Sequence, residues 1–136
     1  MPRLLWISIP FLLAACVGPM PAPDPRMAWV DLQTREVYNM LMSERLDGKR
    51  LDDGRYFQVS PGAHVLEASL RYYFNGPTRR NTLPINCTLR LRYPDFVAGQ
   101  RYRLEAWTLS NQIEAVLYDA QNRELAEAEV LNCWQY

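Results

Sequence analysis

The side chains of this 136-residue chain that could do chemistry are few. There is one histidine, His64, three cysteines, and two alternating pairs of arginines, Arg90 with Arg92 and Arg101 with Arg103. A Ser-His-Asp relay would have to be built around His64, and no G-x-S-x-G turn accompanies it. Asp52 and Asp53 stand beside Gly54 as ordinary turn formers rather than as an acid–base pair. The sequence holds no phosphate-cradling glycine loop. Zinc would need more ligands than Cys87, Cys133 and His64 supply. Asn86-Cys87-Thr88 has the spacing of a glycosylation acceptor. Together these residues predict a non-catalytic protein with no cofactor.

The arginines acquire meaning from the strands that carry them. Residues 86–93 (NCTLRLRY) alternate, with Cys87, Leu89, Leu91 and Tyr93 toward a core and Thr88, Arg90 and Arg92 away from it. Residues 101–108 (RYRLEAWT) place Tyr102, Leu104 and Ala106 inside and Arg101, Arg103 and Glu105 outside. Joined as a hairpin, the two strands put Arg90, Arg92, Arg101 and Arg103 on one surface in either register. Arg71 joins from a neighbouring strand, with Arg79 and Arg80 in the adjoining loop. Like charges directly opposite one another destabilise a sheet. Two readings stay open. Acids such as Glu67, Glu105 and Glu114 compensate the charge, or Arg71, Arg90, Arg92, Arg101 and Arg103 form a site for an anion or an acidic partner, which arginine can grip bidentately.

The rest of the chain also alternates. In residues 64–74 (HVLEASLRYYF), Leu66, Ala68, Leu70, Tyr72 and Phe74 share one face. Residues 113–119 add a short, mostly apolar strand. Residues 36–46 fit a strand or a short helix, and the strand neighbours favour a strand. Residues 124–131 alternate Ala126, Ala128 and Val130 against Glu127 and Glu129, which continued would put Cys133 on the glutamate face while Cys87 points inward. Either that strand ends or bulges after Val130, or one of the two faces is misassigned. Turn signals at Asp47-Gly48, Asp53-Gly54, Ser60-Pro61-Gly62, Asn75-Gly76-Pro77 and Ala98-Gly99 punctuate the strands. Short strands at this cadence predict an all-β fold, a small antiparallel β-sandwich over residues 27–136.

Ahead of it, residues 4–15 (LLWISIPFLLAA) form a greasy run behind Arg3. At about 1.5 Å per residue it is too short to cross a hydrocarbon core of about 30 Å as a helix. Its flanks describe a secretion signal over residues 1–15. Leu13-Ala14-Ala15-Cys16 resembles the lipobox of bacterial lipoproteins, which implies cleavage before Cys16 and acylation of it. Val17 at the next position implies the outer membrane. Pro19, Pro21, Pro23 and Pro25 favour an extended stem over residues 16–26. Several acyl chains at about 0.8 kcal/mol per buried CH₂ would make the anchor effectively permanent. With Cys16 assigned to lipid, Cys87 and Cys133 remain in an oxidising compartment, where they are expected to pair. The chain carries equal numbers of basic and acidic residues, so bulk charge makes no case for nucleic acid.

Within LDGKRLDDGRYFQVSPGAHVLEA, residues 46–68, Asp47, Gly48, Pro61, Gly62, His64 and Leu66 occupy the positions of a turn–strand–turn pattern. This stretch resembles PEGA-type domains, small β-sandwiches of bacterial envelope proteins. It departs from them with Leu46 for the usual valine and Asp52-Asp53-Gly54 for a glycine-proline step. The resemblance implies a sandwich and carries no catalytic residues. The overall layout is similar to small lipoproteins of Gram-negative bacteria, and in architecture to the sheath-anchoring lipoproteins of type VI secretion. The expected function is binding or scaffolding in a cell-envelope complex, with a protein partner, the domain facing the periplasm. The alternatives are an inhibitor or ligand-binding lipoprotein, similar to the small β-fold lysozyme inhibitors, and, more remotely, a hydrolase dependent on His64.

Overall fold

A computed structural model describes residues 18–74 and 83–135. The signal and lipobox, including Cys16, and the loop with Arg79 and Arg80 lie outside the described residues. Among the described residues, ten strands run in the order β1 (Ala28–Thr34), β2 (Met40–Leu46), β3 (Lys49–Arg50), β4 (Tyr56–Val59), β5 (Gly62–Tyr72), β6 (Ile85–Phe96), β7 (Arg101–Leu109), β8 (Gln112–Tyr118), β9 (Glu124–Glu127) and β10 (Glu129–Gln135). They form two five-stranded sheets, ordered β4-β1-β7-β8-β9 and β10-β6-β5-β2-β3. The pairing is antiparallel except between β1 and β7, which run parallel. The chain is a β-sandwich.

The inner faces follow from period-two alternation. Val30, Phe57, Leu66, Leu70, Leu89, Leu91, Leu104 and Leu117 meet between the sheets with almost no exposure. Burying each such side chain contributes about 1.5–3 kcal/mol. Phe96 and Tyr102 pack edge to face at 5.1 Å and close one end of this core. Residues 40–46 form a strand, with Leu41 and Ser43 buried between exposed Met40 and Met42. Residues before them turn, held by the Asn39 amide on the Glu36 carbonyl at 3.1 Å. Phe74 departs from expectation: it is 45% exposed. The β5–β6 ladder ends at Tyr72 opposite Ile85, so among the described residues no partner strand holds the alternation at residue 74.

Two strand relations decide where the arginines go. The hairpin partner of β6 is β5, and β6 and β7 lie in different sheets. Residues 97–100 carry the chain across, with Gly99 at φ 76° and its amide on the Met27 carbonyl at 2.9 Å. The inner faces of β6 and β7 look at each other through the core, so their outer faces point in opposite directions. At the other relation, the chain leaves the first sheet at Ala128, whose amide bonds to Ala115 at 2.8 Å. It then enters the second sheet as β10, with a register shift between Val130 and Asn132. That bulge resets the phase. Cys133 then stands directly opposite Cys87, and the two form a disulfide.

The proline-rich segment lies against the body rather than standing clear of it. Arg55 donates to the Gly18 carbonyl at 2.9 Å, and the Asp24 amide donates to Gln58 Oε1 at 3.0 Å. It meets the sandwich at the pole with the turns near residues 47, 61, 99 and 121. The opposite pole carries the turns near residues 37, 74 and 110. The nine residues of β7, at about 3.3 Å each, set the poles about 30 Å apart.

Candidate functional site

The five arginines do not share a surface, which corrects the single-face expectation. On the outer face of the β6 sheet, Arg90 bonds to Glu67 at 2.9 Å and lies 3.8 Å from Glu129. Arg45 approaches Glu67 at 3.9 Å. The row Arg45, Glu67, Arg90, Glu129 thus alternates in sign across four strands. Arg71 donates to Asn86 Oδ1 at 3.2 Å. Arg92 has no carboxylate partner among the described residues and borders a shallow cavity with Asp47, His64 and Tyr93.

On the far face, Arg101 forks onto Asp31 at 2.6 and 3.0 Å. Arg103 donates to Glu105 at 3.0 Å and to Asn122 at 2.9 Å. Arg35 takes the other Glu105 oxygen at 2.6 Å while its guanidinium lies 3.5 Å from the Trp107 ring centroid. These bonds hold the carboxyls of Asp31, through Arg101, and Glu105, through Arg35 and then Arg103, below the usual carboxylate range. Beside them Trp29 stacks on Tyr56 at 4.2 Å, and although it points outward it is only 3% exposed. Compensation by acids therefore accounts for Arg90, Arg101 and Arg103. Exposed pairs of this kind contribute about 0–1 kcal/mol each.

His64 sits in an arrangement with the outline of a relay. Its Nδ1 lies 2.6 Å from Asp47 Oδ2, and its Nε2 lies 3.0 Å from Ser60 Oγ. The chemistry differs, because Nε2 is closer still, at 2.7 Å, to the Ser60 carbonyl oxygen. A carbonyl only accepts, so Nε2 must donate to it, and a donating nitrogen cannot take the hydroxyl proton. The cluster joins two turns instead. Asp47 (φ 50°) and Gly48 (φ 82°) form the left-handed pair between β2 and β3. The Val65 amide donates to Asp47 Oδ1 at 2.8 Å, and this bond leads in holding the Asp47 carboxyl below its usual range. Asp47 and His64, two positions of the turn–strand–turn pattern in the sequence, thus meet in this clamp.

Two surfaces carry residues that the sequence reading passed over. The first is the set of four sheet edges. β3 is two residues long and cationic, and β9 is four residues with a glutamate at each end. β4 is also four residues, with the proline-rich segment bonded to its Gln58. Such short, charged or covered edges resist further pairing. β10 has none of these devices except its bulge. It runs seven residues, all exposed, with Glu129 its one charge and Val130, Leu131 and Trp134 in solvent. Among the described residues nothing pairs with its outer edge.

The second surface is a cleft of about 200 Å³ at the pole away from the proline-rich segment, lined by Tyr38, Tyr72, Tyr73, Phe74, Thr108, Ser110 and Asn111. Three separate turns build it, so no single stretch of sequence announces it. The Ser-Asn pair between the alternating runs 101–108 and 113–119 was the available signal for its hairpin. Among the described residues, no group of three His, Cys, Asp or Glu side chains could hold a metal ion.

Among the described residues, these features define a mostly antiparallel β-sandwich with a disulfide between adjacent strands and β10 as its one long edge without a partner. No family model, characterised protein or solved structure matches the chain.

Proposed function

We propose that this chain is a non-catalytic, lipid-anchored module of the outer membrane that binds a protein of the cell envelope by accepting one of its strands along β10. The observation that carries the reading is the contrast among edges: three are short and charged or covered, while seven-residue β10 carries one charge and exposes Val130, Leu131 and Trp134. An edge of this kind offers main-chain donors and acceptors for affinity and alternate side-chain positions for selectivity. Anchoring rests on Leu13-Ala14-Ala15-Cys16 and the prolines after it, and the PEGA-like stretch agrees with an envelope setting.

The test installs the missing guard. Val130→Lys with Leu131→Lys alters side chains that are 42% and 39% exposed, and a melting temperature measured beside recovery separates loss of binding from loss of fold. Recovery of the partner from crosslinked envelopes should fall by about tenfold or more, as at an interface hot spot. Recovery unchanged by the double substitution would overturn strand addition at β10. The distal cleft favours a second reading, a ligand-binding lipoprotein.

A further inference from the structure

We propose that the distal cleft is a saccharide site, taking one sugar ring of an uncharged oligosaccharide or polysaccharide. The lining supplies both halves of sugar recognition. Tyr38 and Phe74 are 44% and 45% exposed and sit with Tyr72 and Tyr73 around one opening. Their rings offer flat apolar surface to the C–H face of a pyranose. Ser110 and Asn111 bring a hydroxyl and an amide to the same opening, beside Thr108, whose hydroxyl donates to Glu36 Oε1 at 3.4 Å and can still accept.

The chemistry discriminates among ligand classes. The described lining residues are all uncharged at neutral pH, so these seven side chains offer a neutral polar ligand hydrogen bonds and apolar ring surface rather than a charged fork. A purely apolar occupant would leave hydroxyls and an amide unpaired, which disfavours it. A cleft of about 200 Å³ lies below the range of about 300–1,000 Å³ typical of whole-ligand pockets. It fits one ring of a longer chain passing over the pole.

The hairpin turn adds a second line of argument. Ser110 and Asn111 both hold left-handed backbone, at φ 46° and 71°. Glycine adopts this conformation without the steric cost that a serine bears. The turn thus keeps a serine where glycine is easier, beside an asparagine that tolerates this region, and both residues line the cleft. The site does not depend on β10 or on the lipid anchor.

The experiment titrates the full-length chain, in detergent, with a neutral N-acetylglucosamine tetramer and with maltotetraose, following tyrosine and phenylalanine ring resonances. Saturable binding of at least one of them below about 10 mM is expected. Tyr38→Ala and Phe74→Ala should each weaken it by about tenfold, a loss typical of a well-placed aromatic contact. S110G with N111G suits the turn, so it should leave the melting temperature equal or higher while weakening binding several-fold. The lysine substitutions in β10 should leave it unchanged, which separates failure here from failure of strand addition. No binding of either sugar at about 10 mM, or binding indifferent to all of these cleft substitutions, would overturn the site.

Discussion

Asp47 binds two turns through one carboxylate, accepting from the Val65 amide and meeting His64 at 2.6 Å. Removing the imidazole leaves the Ser60 carbonyl and Asp47 Oδ2 without it. His64→Ala should therefore cost about 1–3 kcal/mol, the loss of up to two hydrogen bonds to polar partners. Urea unfolding reads this directly, and an unchanged midpoint would show that the clamp holds nothing. The carboxyls also set an acid limit. Asp31 and Glu105 are held low by arginine, and Asp47 chiefly by the Val65 amide. A carboxyl whose folded value lies below its unfolded one contributes stability that is fully present above the unfolded value, and loses it as pH falls through the folded one. The melting temperature should thus hold steady down to about pH 4, near the unfolded carboxyl values, and decline below it. Asp31→Asn should make that decline shallower.

At the scale of elements, the inner faces of β5, β6 and β7 could be read from alternation alone, residue by residue from Leu66 to Ala106. Their partners could not. Two strands with buried inner faces are equally satisfied as neighbours in one sheet or as opposites across a core, and period-two patterning is blind to the difference. That ambiguity is why Arg90 and Arg103, expected on one surface, stand on opposite faces of the sandwich. The change of sheet at Ala128 between β9 and β10 was not legible, whereas a bulge after Val130 was one of the readings that the sequence left open. Ala126 and Val130 fix one phase, Cys133 needs the other, and a bulge after Val130 reconciles them. The distal cleft left no trace in any one segment because three turns contribute to it. The staple allows its own prediction. Closing a separation of 46 residues should stabilise the fold by about 4 kcal/mol in the chain-entropy model. Cys133→Ser leaves the core-facing Cys87 in place and should lower stability by up to that amount, with β10 amides losing hydrogen-exchange protection first. Loss of protection spread evenly over both sheets would show that the bond does more than hold an edge.

At the scale of the whole molecule, the poles and edges have different work. The proline-rich segment enters β1 at one pole, where the Asp24 amide bonds to Gln58, and reaches along the β4 edge to Arg55, which donates to the Gly18 carbonyl. Cys16→Ser should abolish acylation and processing at that site. Intact-mass analysis of the wild-type chain should find a lipid-bearing residue 16 at its N-terminus. A mature wild-type chain that begins elsewhere, or carries no lipid mass, would remove the anchor from the account.

The central claim is that β10 is a strand acceptor, and site-specific photocrosslinking in living cells tests it most directly. A photoreactive residue placed in turn at Val130, Asn132 and Trp134 should trap the same extended segment of one envelope protein, advancing along it from position to position. The same probe at Glu127, on the guarded edge of the other sheet, should trap none of it. Equal capture at Glu127, or scattered products with no common segment at the three β10 positions, would contradict strand addition.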